Sequence, residues 1–371
     1  MDSLRLLIWQ WGRKAGGPIT LFRTARELLD DPAVTVFLSY SRQAEVADEI
    51  ERLGLPGFPI NTYTSLAGFF IGFLRLPFIA VKLHRFLVTN KIDIVWCPMT
   101  HVWNIFLIPI FKIAKVKVIG AVHDFEPHPG ENFPGRTAWL NAEARMMDGL
   151  ICFSGHVRDG LVQRRVVEQE QIRLLPLPTF GYDGAVPRRA PRNRGVRLLF
   201  FGRILAYKGL AVLFEAVRIL QHQGQNISLD VVGYGDVPME SAKGIQDLNL
   251  RQGWIPEEEI PAIFDAADIC ICPYVEASQS GIIPLAYSRG VPVVVTPVGG
   301  LVEQVTDGIT GVIASAPEPL AVADALRRLL SDSELYERCS REGIATHTGP
   351  LSWAQHVENL KQFLDEFSGK D

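Results

Sequence analysis

The sequence predicts an α/β fold built from two doubly wound parallel-sheet domains, and three observations carry that prediction. The 371 residues, 41.3 kDa, exceed one ordinary core and suit two. Short apolar runs alternate with helix-length amphipathic stretches, the pattern of repeated βα units over a parallel sheet. The series runs twice, separated by FGYDGAVPRRAPRNRG (180–195), whose Gly, Pro and Arg content reads as a linker.

In the first half the strands are LRLLIW (4–9), VTVFLSY (34–40), IDIVWC (92–97), VKVIGAV (116–122) and GLICFS (149–154). RLLPLP (173–178) closes that half. Helices are expected over Pro18 to Leu29, Gln43 to Leu53 and Pro134 to Arg145. The second half reads VRLLFFG (196–202), ISLDVVG (227–233), a short NLRQGWI, DICICPY (268–274), VPVVVTP (291–297) and TGVIAS (310–315). Its clearest helices run from Gly209 to Gln223 and from Pro319 to Leu330. Two such sheets place a cleft between the carboxyl ends of both strand sets, where ligands of doubly wound folds bind.

Composition narrows the function. Apolar residues at 47% and charged ones at 21% fill two cores and argue against disorder. A formal charge of −4 and a pI near 6.1 argue against non-specific nucleic-acid binding. The five cysteines are odd in number, widely spaced and without a CxxC pair, which fits a reducing, cytoplasmic compartment rather than a disulfide framework or zinc knuckle. Met1-Asp2-Ser3 lacks the basic start of a signal peptide.

Charge is unevenly placed. Residues 1–180 carry 20 Lys+Arg against 17 Asp+Glu, and residues 181–371 carry 17 against 24. From Arg52 to His123 there are eight Lys/Arg and one acid, Asp93, among many Phe, Leu and Ile. No run there reads as long and clean enough to cross a bilayer, since Arg75 and Lys82 interrupt one and Pro98, Asn104 and Pro109 break up the other. Residues 65–117 therefore have two readings: a peripheral contact with an anionic membrane surface, or core helices with solvated cationic tips.

The strongest local feature is FFGRILAYKGLAVLFEAV (200–217). A buried strand ends at Gly202, a loop carries Arg203 and Lys208, and a helix begins near Gly209. Two cations beside a helix N-terminus make a site for a diphosphate, because amide donors and the dipole favour anions and the guanidinium binds oxygens bidentately. A solvated loop with two chance cations is the competing reading. Next, GYGD (233–236) follows a strand; Gly233 and Gly235 allow a tight turn or a close backbone approach, without the third glycine of a dinucleotide fingerprint. Third, Ser278-Gln279-Ser280-Gly281 opens a helix with hydroxyls and amides, either a simple cap or a holder of phosphate or sugar hydroxyls. VGGLVE then puts two glycines and Glu303 on the same rim.

Gly-Arg with Lys-Gly five residues on, then GxG, Gly-x-Ile, AADICICPY, GxPVV and VGGxxE, over residues 201–311, together resemble the C-terminal half of retaining GT-B glycosyltransferases. That family includes many mannosyl-, glucosyl- and galactosyltransferases of bacterial polysaccharide and glycolipid assembly. SWAQHVENLKQF (352–363) resembles its closing helix, which crosses back onto the first domain. KAGGPITLFRTARELL resembles its glycine-rich first loop and helix, VIGAVHDFEPHPGE the strand and loop bearing its active-site histidine, and DGLICFSGHVRDGL the last strand–loop–helix of that domain, with Ser154 at the loop. The implied domains are 1–180 on the acceptor side, the linker 181–195, 196–345 for the nucleotide sugar, and 346–371 as the crossing helix.

The resemblance implies a metal-independent hexosyl transfer from a nucleotide-diphosphate sugar to a saccharide or lipid-linked acceptor, with no cofactor and no nucleic-acid partner. Arg203 and Lys208 would stabilise the leaving diphosphate, in keeping with the lack of an Asp-x-Asp signature. His123 would lie near the donor sugar, with His128 a lesser candidate for the acceptor. The donor would be held by Gly16, Gly17, Gly202, Gly233, Trp254, Ile255, Glu276, Ser280, Gly281, Ile282 and Glu303. One departure stands out: the family's two glutamates, eight positions apart, fall here on Ala277 and Leu285, and Glu276 is one residue out of register. That leaves open a variant subgroup, a non-catalytic scaffold or partner subunit, and, on the same architecture, a nucleotide-sugar epimerase.

Overall fold

The computed structural model describes residues 3–14, 16–126, 135–179, 182, 184–191 and 195–368. His128 and Pro134 lie outside them. The first sheet comprises β1 (Leu4–Gln10), β2 (Val34–Tyr40), β3 (Ile94–Cys97), β4 (Lys117–Val122), β5 (Gly149–Cys152) and β6 (Ile172–Leu174), in the order β2-β1-β3-β4-β5-β6. The second comprises β7 (Val196–Phe201), β8 (Ile227–Gly233), β9 (Leu248–Gln252), β10 (Ile269–Cys272), β11 (Val293–Val295) and β12 (Gly311–Ile313), in the order β12-β11-β10-β7-β8-β9. Every pairing within the two sheets is parallel.

Runs such as IVWC and ICIC form these strands because helices cover both faces, so neither face needs polar residues. Alternation then divides one strand between two cores. Leu7, Trp9 and Val95 face one side of the first sheet, with Phe111; Leu6, Ile8 and Trp96 face the other, with Ile119 and Ile151. In the second sheet Leu198, Phe200 and Ile271 share a core with Leu213 and Phe214, while Leu199, Cys270 and Cys272 share one with Phe264 and Tyr287. The five cysteines are all free and buried, as small core residues. Strand order reverses between β1 and β3 and between β7 and β10, and these two switch points set the cleft.

The final helix, Trp353–Ser368, returns to the first sheet. Its Val357, Leu360, Phe363 and Leu364 join the core formed by Leu6, Ile8 and Ile119. Lys361 pairs with Asp31, and that hydrogen bond holds the Asp31 carboxyl below its ordinary value. The outgoing and returning crossings touch where Thr179 N donates to Leu351 O at 3.0 Å.

Two expectations need correction. Residues Leu66–Thr89 form one 24-residue helix that runs through Pro77, Arg75 and Lys82, and Asn104–Ile113 runs through Pro109. By length and composition the longer helix can cross a bilayer, contrary to the reading of broken runs. Its Leu76, Leu83 and Leu87 are nonetheless built into the first domain's core, so one face is a wall of that domain. Separately, β3 begins at Ile94 rather than Ile92, because the Asp93 carboxylate accepts from Arg5 N at 2.9 Å and ends the ladder there.

Replacing Phe363, 2% exposed, by Ala should destabilise the first domain by about 3–5 kcal/mol through loss of burial and a residual cavity. Urea unfolding followed by the buried Trp9, Trp11, Trp96 and Trp103 measures it; an unchanged midpoint would mean the crossing helix is not part of that core.

Candidate functional site

Two strands of the second sheet end in glycine turns at the edge of the space between domains. β7 gives way to Gly202 (φ 115°), and β8 ends at Gly233 (φ 152°), both conformations that L side chains avoid. A Cβ on Gly233 would sit 1.7 Å from the Gly202 carbonyl oxygen, so the two turns approach only because that side chain is missing. They border a cavity of about 490 Å³ lined by both domains. Ile19, Glu45, Val46 and Glu49 come from the first domain, while Phe201, Arg203, Trp254, Ile255, Glu257 and Glu258 come from the second, with Tyr182 from the crossing segment. The wall is mainly apolar and aromatic, with one guanidinium and four carboxylates around it.

Of the residues the sequence singles out, Gly202, Arg203, Gly233, Trp254 and Ile255 line this cavity together. Lys14 reaches across from the first domain, its Nζ 5.9 Å from the centre of the Trp254 ring. Lys208 lies one turn further, at the end of a short 3₁₀ segment, Ala206–Lys208. Its Nζ is 3.8 Å from the Tyr274 ring centre and 5.0 Å from that of Tyr207. Arg203 Nη2 donates to the Tyr207 hydroxyl at 3.3 Å, so buried Tyr207 touches both cations. Leu285, at a position where the resemblance leads one to look for a carboxylate, lines the same cavity.

The remaining candidates sit elsewhere. Gly16 and Gly17 open the helix Gly16–Glu27, and a Cβ on Gly17 would collide with the Gln10 amide at 1.9 Å. Ser280 is buried and already engaged: its Oγ is 3.1 Å from the Tyr274 hydroxyl and accepts from Ile282 N, and its N donates to Gln304 Oε1 at 2.7 Å. Ile282 packs toward Gly202, and Gly281 faces open space. Glu276 is half-buried outside the cavity lining. Glu303 is placed differently from its donor-binding expectation. Its two oxygens accept from Gly155 N at 2.6 Å and His156 N at 2.9 Å, across the domain boundary.

His123 follows β4. Its Nε2 is 3.1 Å from the Pro98 carbonyl, an acceptor only, so the proton resides on Nε2 and Nδ1 keeps its lone pair. Burial lowers its pKa and favours the neutral ring. The second domain grips this residue too, through Gln279 Nε2 donating to the His123 carbonyl at 2.8 Å. His123 lines a smaller cavity of about 160 Å³ with Thr100, Asp124, Arg136 and Glu143.

Glu143 was not legible in the sequence. It is 1% exposed; Oε1 accepts from Asn104 Nδ2 at 2.6 Å, and Oε2 has no hydrogen-bond partner among the described residues. Burial pushes its carboxyl up to about 7, only partly offset by Asn104. A raised carboxyl pKa costs stability above the unfolded value of 4.5, because the folded protein must then give up a proton it holds more tightly than the unfolded chain does. Stability should therefore fall by about 3 kcal/mol between pH 4.5 and 7 on this account, and Glu143→Gln should remove that decline. Urea midpoints of both proteins at pH 5 and pH 8 test it; equal pH dependence would rule it out.

Residues 195–332 match the family described as Glycosyl transferases group 1. The chain is 28% identical over 291 residues to the D-inositol 3-phosphate glycosyltransferase of Paenarthrobacter aurescens, covering 73% of this chain and 70% of that protein. It is 33% identical over 148 residues to the amylovoran biosynthesis glycosyltransferase AmsK of Erwinia amylovora, where the alignment spans 37% of this chain and about a third (36%) of AmsK. The crystal structure of Anabaena HepE in complex with UDP superposes with a TM-score of 0.72 at 15% identity, over 98% of this chain and all of that one. Likeness at that identity is a likeness of fold.

Proposed function

We propose, from the premise that this chain is a GT-B glycosyltransferase whose second domain belongs to the glycosyl transferases group 1 family, that it moves a hexose from a nucleotide-diphosphate sugar to a saccharide or lipid-linked acceptor, with retention of anomeric configuration and without a metal. The observation that carries this reading is the 490 Å³ interdomain cavity, in which an aromatic wall adjoins Arg203 at the end of β7. Phe201, Tyr182 and the Trp254–Ile255 segment offer the planar, apolar surroundings a nucleobase needs. Arg203 and the adjacent Lys208 meet the diphosphate, and their charge counts most as the glycosidic bond breaks and negative charge collects on the leaving group. Carboxylates that line the cavity, Glu257 and Glu258 among them, are acceptors for ribose hydroxyls where Leu285 offers none. His123, neutral with Nδ1 as acceptor, faces the sugar side from the first domain.

Arg203→Ala should weaken UDP binding at least about tenfold, the loss expected for a charge-assisted bidentate contact, and EDTA should leave binding unchanged. Isothermal titration decides: affinity indifferent to Arg203, or abolished by EDTA, sinks this reading of the donor site.

An acceptor carried on a membrane accords with the helix Leu66–Thr89. At about 100° per residue, Phe70, Leu74, Phe78 and Val81 fall within roughly an 80° arc, opposite Leu76, Leu83 and Leu87. The first four are 67%, 75%, 73% and 65% exposed while the others are buried in the domain, so the helix is apolar on both faces. Arg75, Lys82 and Arg85 are exposed on it, and no acidic side chain among the described residues pairs with them. Lys112 and Lys117 are different, being paired with Asp148. An apolar stripe beside unpaired cations matches an anionic lipid surface, with the helix lying in the interface. Vesicles containing phosphatidylglycerol should sediment the protein at low salt, and Phe78→Glu with Lys82→Glu should abolish this. Equal sedimentation by neutral vesicles, or concentration-dependent dimers lost in the same variant, would assign the stripe to another occupant.

A further inference from the structure

The carboxylate of Glu303 belongs to the second domain, yet its hydrogen bonds are made to the first. It stands on the helical turn Leu301–Gln304 and accepts from the backbone N–H of Gly155 and of His156, the opening residues of the nine-residue helix Gly155–Gln163. Val157 N, the next open donor, is taken by the helix's own cap, Ser154 Oγ, at 3.3 Å. That hydroxyl in turn donates to Ser278 O of the second domain at 2.9 Å. Three of the donors that a helix leaves open at its start are thus satisfied, two of them from the other domain. The helix dipole adds to the attraction for a negative charge at this end.

Two further contacts belong to the same seam. Gln279 Nε2 holds the His123 carbonyl, and Gly300 leaves room for Ser154: a Cβ there would lie 2.8 Å from Ser154 Cβ and 2.0 Å from Ser278 O. The seam therefore grips the ends of β4 and β5 from the side that carries Arg203. Glu303 itself is exposed, so its hydrogen bonds form and break in water and contribute little to global stability. A contact of that kind biases the arrangement of two already folded domains.

We propose that Glu303 is a positioning residue for the transfer reaction: a carboxylate latch that holds the first domain, with His123, in register with the diphosphate site of the second. This rests on the reading of the chain as a glycosyltransferase, but the latch itself is testable apart from it. Glu303→Gln keeps one acceptor and loses the other; Glu303→Ala loses both. Amide hydrogen exchange at Gly155 and His156 should quicken at least about tenfold in both variants, while that of the β8 core stays as in the wild type. UDP affinity should remain within about twofold, because Glu303 does not line the donor cavity, and turnover of UDP-glucose should fall at least about tenfold.

Unchanged exchange at Gly155 and His156 overturns the latch. Faster exchange with undiminished turnover overturns the positioning role, as does a loss of UDP affinity equal to the loss of turnover. A wild-type chain that neither binds UDP nor turns over UDP-glucose defeats the transferase reading, and the exchange result still judges the latch.

Discussion

Two absent side chains set the distance at which the domains meet. A Cβ on Gly299 would lie 1.7 Å from Ala277 O, and one on Gly300 would strike both Ser278 O and Ser154 Cβ. With those atoms missing, the loop after β11 folds onto the loop after β10, and the resulting surface comes close enough for Ser154 to donate to Ser278 O. That contact joins the two domains beside the interdomain cavity. His123 and Arg203 sit at the ends of strands in separate sheets with separate cores. The glycine pair is thus a constraint on quaternary-like geometry within a single chain.

The strands were legible because burial on both faces leaves an unmistakable continuous apolar run, and their ends located Gly202, Gly233 and Trp254 on one rim, where they line the same cavity. The position of Arg203 was legible for the same reason: it follows directly from the end of β7. The contact that Glu303 makes with the first domain was not legible, because a carboxylate three residues past a glycine pair looks the same whether it faces a ligand or another domain. Its partners, Gly155 and His156, are nearly 150 positions away, and no local pattern encodes such a pairing. Glu143 was invisible for a related reason. On its helix it is one charged residue flanked by Ala142 and Ala144, and only the packing of Asn104 against it reveals that it is buried. The helix Leu66–Thr89 was under-read because Arg75 and Lys82 look like interruptions of an apolar run, yet both sit exposed on one unbroken helix.

Net charge is a poor guide to what the cleft attracts. The second half of the chain is acidic, and four carboxylates line the cavity beside a single guanidinium. What matters is where charge is fixed. Tyr207 touches Arg203 through its hydroxyl and Lys208 through its ring, and Tyr274 lies under the Lys208 ammonium. These contacts tether both cations to the ends of β7 and β10. The acids, Glu45, Glu49, Glu257 and Glu258, line the same cavity as hydrogen-bond acceptors. On the proposed donor reading, this arrangement separates a cationic end from an acceptor-lined end and would fix the direction in which a nucleoside diphosphate lies.

The position of the latch relative to the crossings has a mechanical consequence. The chain passes between domains twice, and Thr179 N donating to Leu351 O ties the two passages together. Leu175, Leu177, Pro350 and Leu351 from those passages line one cavity of about 520 Å³ with Ser154, Gly155 and Glu303. The carboxylate contact is therefore beside the two passages, which any rotation of the domains must bend. Near such a bend, a given rotation moves atoms least, so hydrogen bonds there survive small swings and break only at larger ones. A latch so placed narrows the range of interdomain angles without clamping the mouth through which donor and acceptor pass.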